Sequence, residues 1–272
     1  MILLPMSGVL STRLALTTVV VLLCAGGVAA SVAAASPGRV TVTPPLDHQL
    51  CYRSGVSGTV IPANVMLKNQ FSPNGFHPTI TRGMVLCNPV QKTLPSGQIF
   101  PINNRRAHLV CYRITEPAQP TPTVMVSNQF GSATLVPRQP NLLCLPSWKS
   151  LVSVPHTNAV QPPGLSHFTC YPVRVANGAY HAPAVMLKDE FTTRQVSAQV
   201  NPVPAELCLP TEKIVGVHDF PILDSVTHLL CFPVSPTPIR PAWYKNQFGR
   251  GSLGLHQTNW LCLPSTKTVV TH

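Results

Sequence analysis

Eight cysteines that alternate between two fixed contexts constrain this chain more than any other feature. The first context is His-x-x-Cys followed by an aromatic residue. It occurs at His48 to Tyr52, His108 to Tyr112, His167 to Tyr171 and His228 to Phe232. The second is Leu-Cys-x-Pro-x-x-Lys, at Leu86 to Lys92, Leu143 to Lys149, Leu207 to Lys213 and Leu261 to Lys267. Between them lies Asn-Gln-Phe at 69–71, 128–130 and 246–248, replaced by Asp189-Glu190-Phe191 in the third copy. The first cysteine recurs after 60, 59 and 61 residues, and a fixed period of that size marks an internal structural repeat.

The four copies are not equally alike. Copies one and three share Val-Met-Leu-Lys at 65–68 and 185–188, and each follows a Pro-Pro pair. Copies two and four share Phe-Gly (Phe130-Gly131 and Phe248-Gly249) and the ending Leu-Cys-Leu-Pro-Ser. Duplication of a two-repeat unit explains this pattern. It predicts two similar domains over residues 37–158 and 159–272, each of ordinary domain size. One ~60-residue copy alone buries too little of its surface to be stable, so two copies sharing a core are expected.

Each copy reads as β-structure. In His108 to Ile114, alternate residues His108, Val110, Tyr112 and Ile114 share one face, and Leu109, Cys111 and Arg113 the other. Val124-Met125-Val126 and Ala133 to Val136 flank Asn128 to Ser132 as a hairpin with a glycine turn. Asn141 to Leu145 forms a further short strand, which Pro146 is expected to end. With 30 prolines in 272 residues, the longest proline-free stretch beyond residue 37 is Ala242 to Leu263, so a mostly helical fold is excluded. The expected class is all-β: two sandwich-like or barrel-like domains of about eight strands. The strand pattern alone does not choose between those closures.

The N-terminus points to export. Arg13 is the only charged residue before Arg39, and Leu14 to Ala35 is apolar or small, ending in Ala33-Ala34-Ala35. This is the pattern of a secretory signal over residues 1–35, cleaved after Ala35. The run is also long enough to span a bilayer, so an uncleaved anchor is the alternative and the one route to membrane contact. Cys24 leaves with the signal. The other eight, Cys51, Cys87, Cys111, Cys144, Cys170, Cys208, Cys231 and Cys262, are then disulfide candidates in an oxidising compartment. Repetition favours linkage within each copy: 51–87, 111–144, 170–208 and 231–262. A scheme that joins Cys87 to Cys111 and Cys208 to Cys231 across copies stays open.

Most functional classes find no support in the residues. The chain has eight acids, with no spaced carboxylate pair of the kind a glycosidase uses. Gly-x-Ser-x-Gly, the phosphate-loop motif and His-Glu-x-x-His are all absent. The recurring polar residues occur in all four copies and so read as architecture, and no catalytic residue and no cofactor is assigned. Asp189-Glu190 read as turn residues, and Asn-Gln-Phe as turn amides beside a core ring. A zinc protein using the His and two Cys of each copy is an alternative. It suffers because His and Cys three apart on a strand face opposite ways, and no fourth ligand recurs. The net charge of +11 is thinly spread, with Arg105-Arg106 the only adjacent basic pair. Nucleic-acid binders cluster such residues, so nucleic acid is not expected. An anionic cell-surface polymer or glycan is the partner that the basic balance allows.

The combined motifs resemble a family of exported bacterial proteins built from Cys-containing repeats, a domain of unknown function. His108 to Tyr112, Asn128 to Gly131 and Leu143 to Lys149 carry the likeness best, and it extends over about residues 45–270. Phe232, Asp189-Glu190 and the missing glycine after Phe in copies one and three depart from it. The resemblance implies export and repetition and brings no activity and no functional residue. The resulting expectation is a secreted, disulfide-stapled, non-catalytic protein with a structural or binding role.

Overall fold

A computed structural model describes residues 45–116 and 120–271. The expected signal over residues 1–35 lies outside them. Copy one contributes β1 (Gln49–Val56), β2 (Val65–Asn69), β3 (Ser72–Phe76), β4 (Thr79–Pro89), β5 (Gln91–Thr93) and β6 (Ile99–Phe100). Copy two contributes β7 (His108–Thr115), β8 (Val124–Asn128), β9 (Gly131–Pro137) and β10 (Leu142–Ser150). Copy three contributes β11 (His167–Tyr180), β12 (Val185–Lys188), β13 (Val196–Ala198), β14 (Glu206–Val215) and β15 (His218–Phe220). Copy four contributes β16 (His228–Pro233), β17 (Ala242–Asn246) and β18 (Gly249–Val269). No helix occurs among the described residues.

The first and last strand of every copy join one antiparallel ring. Its order is β1-β4-β7-β10-β11-β14-β16-β18, and β18 pairs back with β1. The ring is a closed eight-stranded barrel, which answers the choice between sandwich and barrel. Within a copy the two cysteines are directly opposite, as in Cys51↔Cys87 and Cys111↔Cys144. Between copies the register steps by two residues: Cys87 faces Leu109, Cys144 faces Phe168, Cys208 faces Leu229 and Cys262 faces Gln49. All four steps run in the same sense and add to a stagger of eight residues over eight strands. Closure of a tilted barrel requires such a stagger.

The expected boundary at 158/159 does not divide this structure. Strand β10 pairs with β11 across it, β18 pairs with β1, and the described residues form one compact unit. The physical reason is edge protection. Two separate four-strand halves would each expose unpaired backbone at two edges, and a single ring leaves none. The likeness of copies one and three, and of two and four, therefore reflects similar hairpins and not separate domains.

Pro146 also corrects an expectation, because β10 runs through it to Ser150. Pro146 pairs with Leu109 on one side, while pairing with β11 on the other side stops at Cys144. Pro89, Pro210 and Pro264 likewise stand two residues beyond the last pairing with the next copy. At that point the strand is an edge on one side, so a missing N–H removes no ladder bond.

Two cores result from the alternation along each strand. Inward-facing residues (the eight cysteines with Val85, Leu109, Leu142, Phe168 and Leu229) fill the barrel. Outward-facing residues such as Tyr52, Leu86, Val110, Tyr112, Leu143, Tyr171, Leu207 and Phe232 form a second, larger core beneath the hairpins. The hairpin expected in copy two is β8–β9, with Asn128 opposite Gly131 across a two-residue turn. Copy four builds the same turn with Asn246 opposite Gly249. Gly249 has a φ of 138°, and a Cβ there would sit 2.1 Å from the Gly58 carbonyl oxygen, so only glycine fits.

Candidate functional site

The barrel interior is the first place to look for a ligand, and it is full. Disulfides join Cys51–Cys87, Cys111–Cys144, Cys170–Cys208 and Cys231–Cys262. Neighbouring disulfides touch, with 3.7 Å between the sulfurs of Cys51 and Cys262 and 3.8 Å between those of Cys144 and Cys170. The space left among them is about 10 Å³, the room of a single water. Glu206 borders this layer, takes a hydrogen bond from the Asn141 side-chain amide, and burial pushes its carboxyl up to about 7. Eight-stranded barrels can hold a small ligand, but here the sulfur layer takes that volume.

The other recurring residues meet outside the barrel, at four equivalent places. Each hairpin reaches the copy two positions along the ring. Strand β2 pairs with β14, β8 with β18, β12 with β5, and β17 with β10. The Phe of each Asn-Gln-Phe packs edge-on against the aromatic that follows the first cysteine of that distant copy. The pairs are Phe71 with Tyr171, Phe130 with Phe232, Phe191 with Tyr52 and Phe248 with Tyr112, at 5.0 to 5.4 Å between ring centres. Asn69, Asn128, Asp189 and Asn246 each close a turn by accepting the Phe backbone N–H. Three of them also meet a tyrosine hydroxyl: Asn69 with Tyr171, Asp189 with Tyr52, and Asn246 with Tyr112. Copy four has Phe232 instead of tyrosine, and Asn128 donates to the Ser265 hydroxyl.

The motif lysines complete these clusters. The ammonium groups of Lys92, Lys149, Lys213 and Lys267 sit 4.7 to 5.5 Å from the ring centres of Phe130, Phe191, Phe248 and Phe71, each in the following copy. Lys92 lies between Phe130 and Phe100, fully buried and without a hydrogen-bond partner among the described residues, and burial holds its ammonium down to about 7. Lys213 lies between Phe248 and Phe220 and is held at about 8 for the same reason. The motif histidines pack beside these lysines. Burial, then the nearby ammonium, lowers His48 and His167 to about 3 and His228 to about 4. Gln129 bonds His48 and Gln247 bonds His167.

The cluster between copies two and three is the charged exception. Glu190 replaces the glutamine, pairs with Lys149 at 2.5 Å and lies 3.5 Å from His108 Nε2. Its carboxyl is lowered to about 2, because the His108 and Lys149 contacts outweigh the desolvation that opposes them. Asp189 accepts from Tyr52, from the Asn88 amide and from the Phe191 N–H. Both acids are therefore more than turn residues. Glu190 neutralises the buried Lys149 of copy two, and Asp189 ties copy three to Tyr52 and Asn88 of copy one, links that only the fold could reveal.

The zinc alternative requires the His and Cys of a copy to converge. The histidines belong to the outer clusters and the cysteines to the barrel interior, on opposite faces of the same strands. Among the described residues no group of three or more His, Cys, Asp or Glu side chains is placed to hold a metal ion. Sequence reasoning missed the lysines. Their fixed place after Leu-Cys-x-Pro was visible, but a lysine at a regular position reads as surface until a ring is found beneath it.

The family model described as a repeat of unknown function (DUF7450) matches residues 112–264, which hold three of the four Asn-Gln-Phe-type hairpins. The chain belongs to this family. No curated protein and no solved structure matches it. The residues that recur in each repeat of this chain are those used above to build the disulfide layer and its outer clusters.

Proposed function

We propose that this DUF7450 repeat protein is an exported, non-catalytic scaffold that acts by binding outside the cytoplasm. The observation that carries the reading is the use made of the repeated residues. Cysteines, histidines, lysines, amides and aromatics of all four copies go into interior packing, turns and inter-copy contacts. What remains for function is the variable surface that the scaffold displays. Four buried disulfides suit an oxidising compartment, and the Arg13-to-Ala35 segment supplies the expected signal.

The test is an intact mass on protein recovered from the exported fraction, followed by retention assays on cell-surface polymers at low and high salt. The expected form begins at Ser36, is lighter than the reduced chain by eight hydrogens, and is retained in a salt-sensitive way. Protein found only in the cytoplasm with free thiols would overturn export. Exported protein retained by no polymer would remove the binding role and leave a purely structural one.

A further inference from the structure

One row of side chains on the outer surface is not used by the repeat architecture. Trp148 on β10 stands directly opposite Lys245 on β17, and Lys245 directly opposite Arg250 on β18. Directly paired residues project from the same face, about 5 Å apart. The row therefore runs Trp148, Lys245, Arg250 across three adjacent strands. The Arg106 guanidinium lies over the Trp148 indole at 5.6 Å and extends the row by one more cation.

The 155–159 loop folds against this row. Trp148 Nε1 donates to the Ala159 carbonyl at 3.2 Å, and Lys245 Nζ donates to the Thr157 carbonyl. Between loop and row is an open cleft of about 370 Å³, lined by Pro155, His156, Thr157, Asn158, Lys245 and Arg250. A second cleft of about 510 Å³ shares Lys245 and Arg250 and is floored by Val60, Pro62 and Gly249. Neither cleft is lined by a carboxylate. Among the described residues, the ion pairs formed involve other groups and leave Arg106, Lys245 and Arg250 without an acidic partner.

Like charges placed directly opposite on neighbouring strands repel, and Lys245 and Arg250 are such a pair. An anion between them turns that repulsion into two attractions. The row offers cations at strand spacing, beside a polar cleft and an apolar shelf. Loss of Trp148 or of the 155–159 loop would leave the cations but remove the walls. The row through Trp148, Lys245 and Arg250 lies on copies two and four and the Val60 and Pro62 shelf on copy one, so this is one site and not a fourfold set.

We propose that Arg106, Lys245 and Arg250, with the His156 to Asn158 loop, bind an anionic polymer whose charged groups repeat at about the strand spacing. The inference rests on the binding role proposed above and names where and to what. Carboxylate and phosphate chains offer the same chemistry, and the probes separate them. The assay is titration of the full-length oxidised protein with polygalacturonate, with inorganic polyphosphate and with neutral dextran at two ionic strengths.

Binding to one or both polyanions is expected, weakened by salt and absent for dextran. The triple variant Arg106→Ala, Lys245→Ala and Arg250→Ala should lose at least tenfold in affinity. A control of equal charge loss at exposed positions, Arg53→Ala, Arg138→Ala and Arg174→Ala, should lose less than threefold. Arg250→Gln alone, at an exposed position, covers the case in which the triple variant misfolds, and should lose about threefold. Equal losses in both triple variants would overturn the site, because net charge alone would then explain binding. Binding of dextran but of no polyanion would overturn this inference and leave the general binding role standing. Binding of nothing in this panel would sink this inference, and retention by cell-surface material would still decide the general role.

Discussion

Lys92 offers the clearest quantitative test of the inter-copy clusters. Its ammonium is buried between Phe100 and Phe130, and its pKa is held at about 7 against an ordinary 10.5. A depression of that size corresponds to about 5 kcal/mol disfavouring the charged form in the folded state. That figure is already net of the cation–π contacts, which act on the charged form, and a substitute that packs imperfectly gives back about 1 to 2 kcal/mol, so a gain of about 3 kcal/mol is expected. The sign follows from proton binding. Below pH 7 the lysine is protonated in both states, and the folded state carries the full penalty. Between about 7 and 10.5 the unfolded chain binds the extra proton, so stability rises with pH. Above 10.5 the penalty is gone. Lys92→Met removes the charge and keeps a flexible apolar chain against both rings. Guanidinium unfolding followed by tryptophan fluorescence, with free thiol alkylated, should find the variant about 3 kcal/mol more stable at pH 6. That advantage should shrink steadily towards pH 10. A variant less stable than the parent at pH 6, or a parent whose stability is flat from pH 7 to 10, would refute the burial argument.

Four further tests address other parts of the fold. Tyr112→Phe removes the hydroxyl that meets the Asn246 amide, and should cost about 1 to 2 kcal/mol by denaturant unfolding. Phe232→Tyr, which supplies the missing hydroxyl beside Asn128, should stay within about 1 kcal/mol of the parent. Replacing Cys231 and Cys262 together by Ala opens a link with a sequence separation of 31, and should cost about 2 to 5 kcal/mol, read as a fall in Tm on calorimetry. Glu190→Gln should flatten the acid sensitivity of the fold. The parent loses the stability contributed by its Glu190 pair as pH falls from the ordinary carboxylate range towards about 2. The variant should lack that transition in a pH melt series, and an unchanged profile would remove Glu190 from the cluster.

Much of the architecture was legible in the sequence because it is local. The period, the strand faces around Cys111 and the hairpin of copy two follow from alternation and turn chemistry within a few residues. What could not be read is set between copies. The two-residue register step between neighbouring copies has no sequence marker, and with it went the distinction between one ring and two halves. Pro146 looked like a strand end because a proline forbids a ladder bond. The sequence does not say which neighbour that bond would have gone to. Lys92 and Glu190 were visible as motif positions, but their roles depend on rings and cations supplied by another copy. The row through Trp148, Lys245 and Arg250 joins residues about a hundred positions apart, and no local pattern announces it.

Closure also bears on how such a chain can evolve. In an open stack of repeats, a unit gained or lost changes only the length. Here each hairpin is seated on the copy two places along, and the last strand returns to the first. Deleting one copy would orphan two hairpin seats and leave six strands around a lumen too narrow for the sulfur layer. Adding one would make a ring of ten strands with a wider lumen and displace the hairpin seats. The number four is thus a property of the geometry, and members of the family with a different count must assemble several rings or abandon this one.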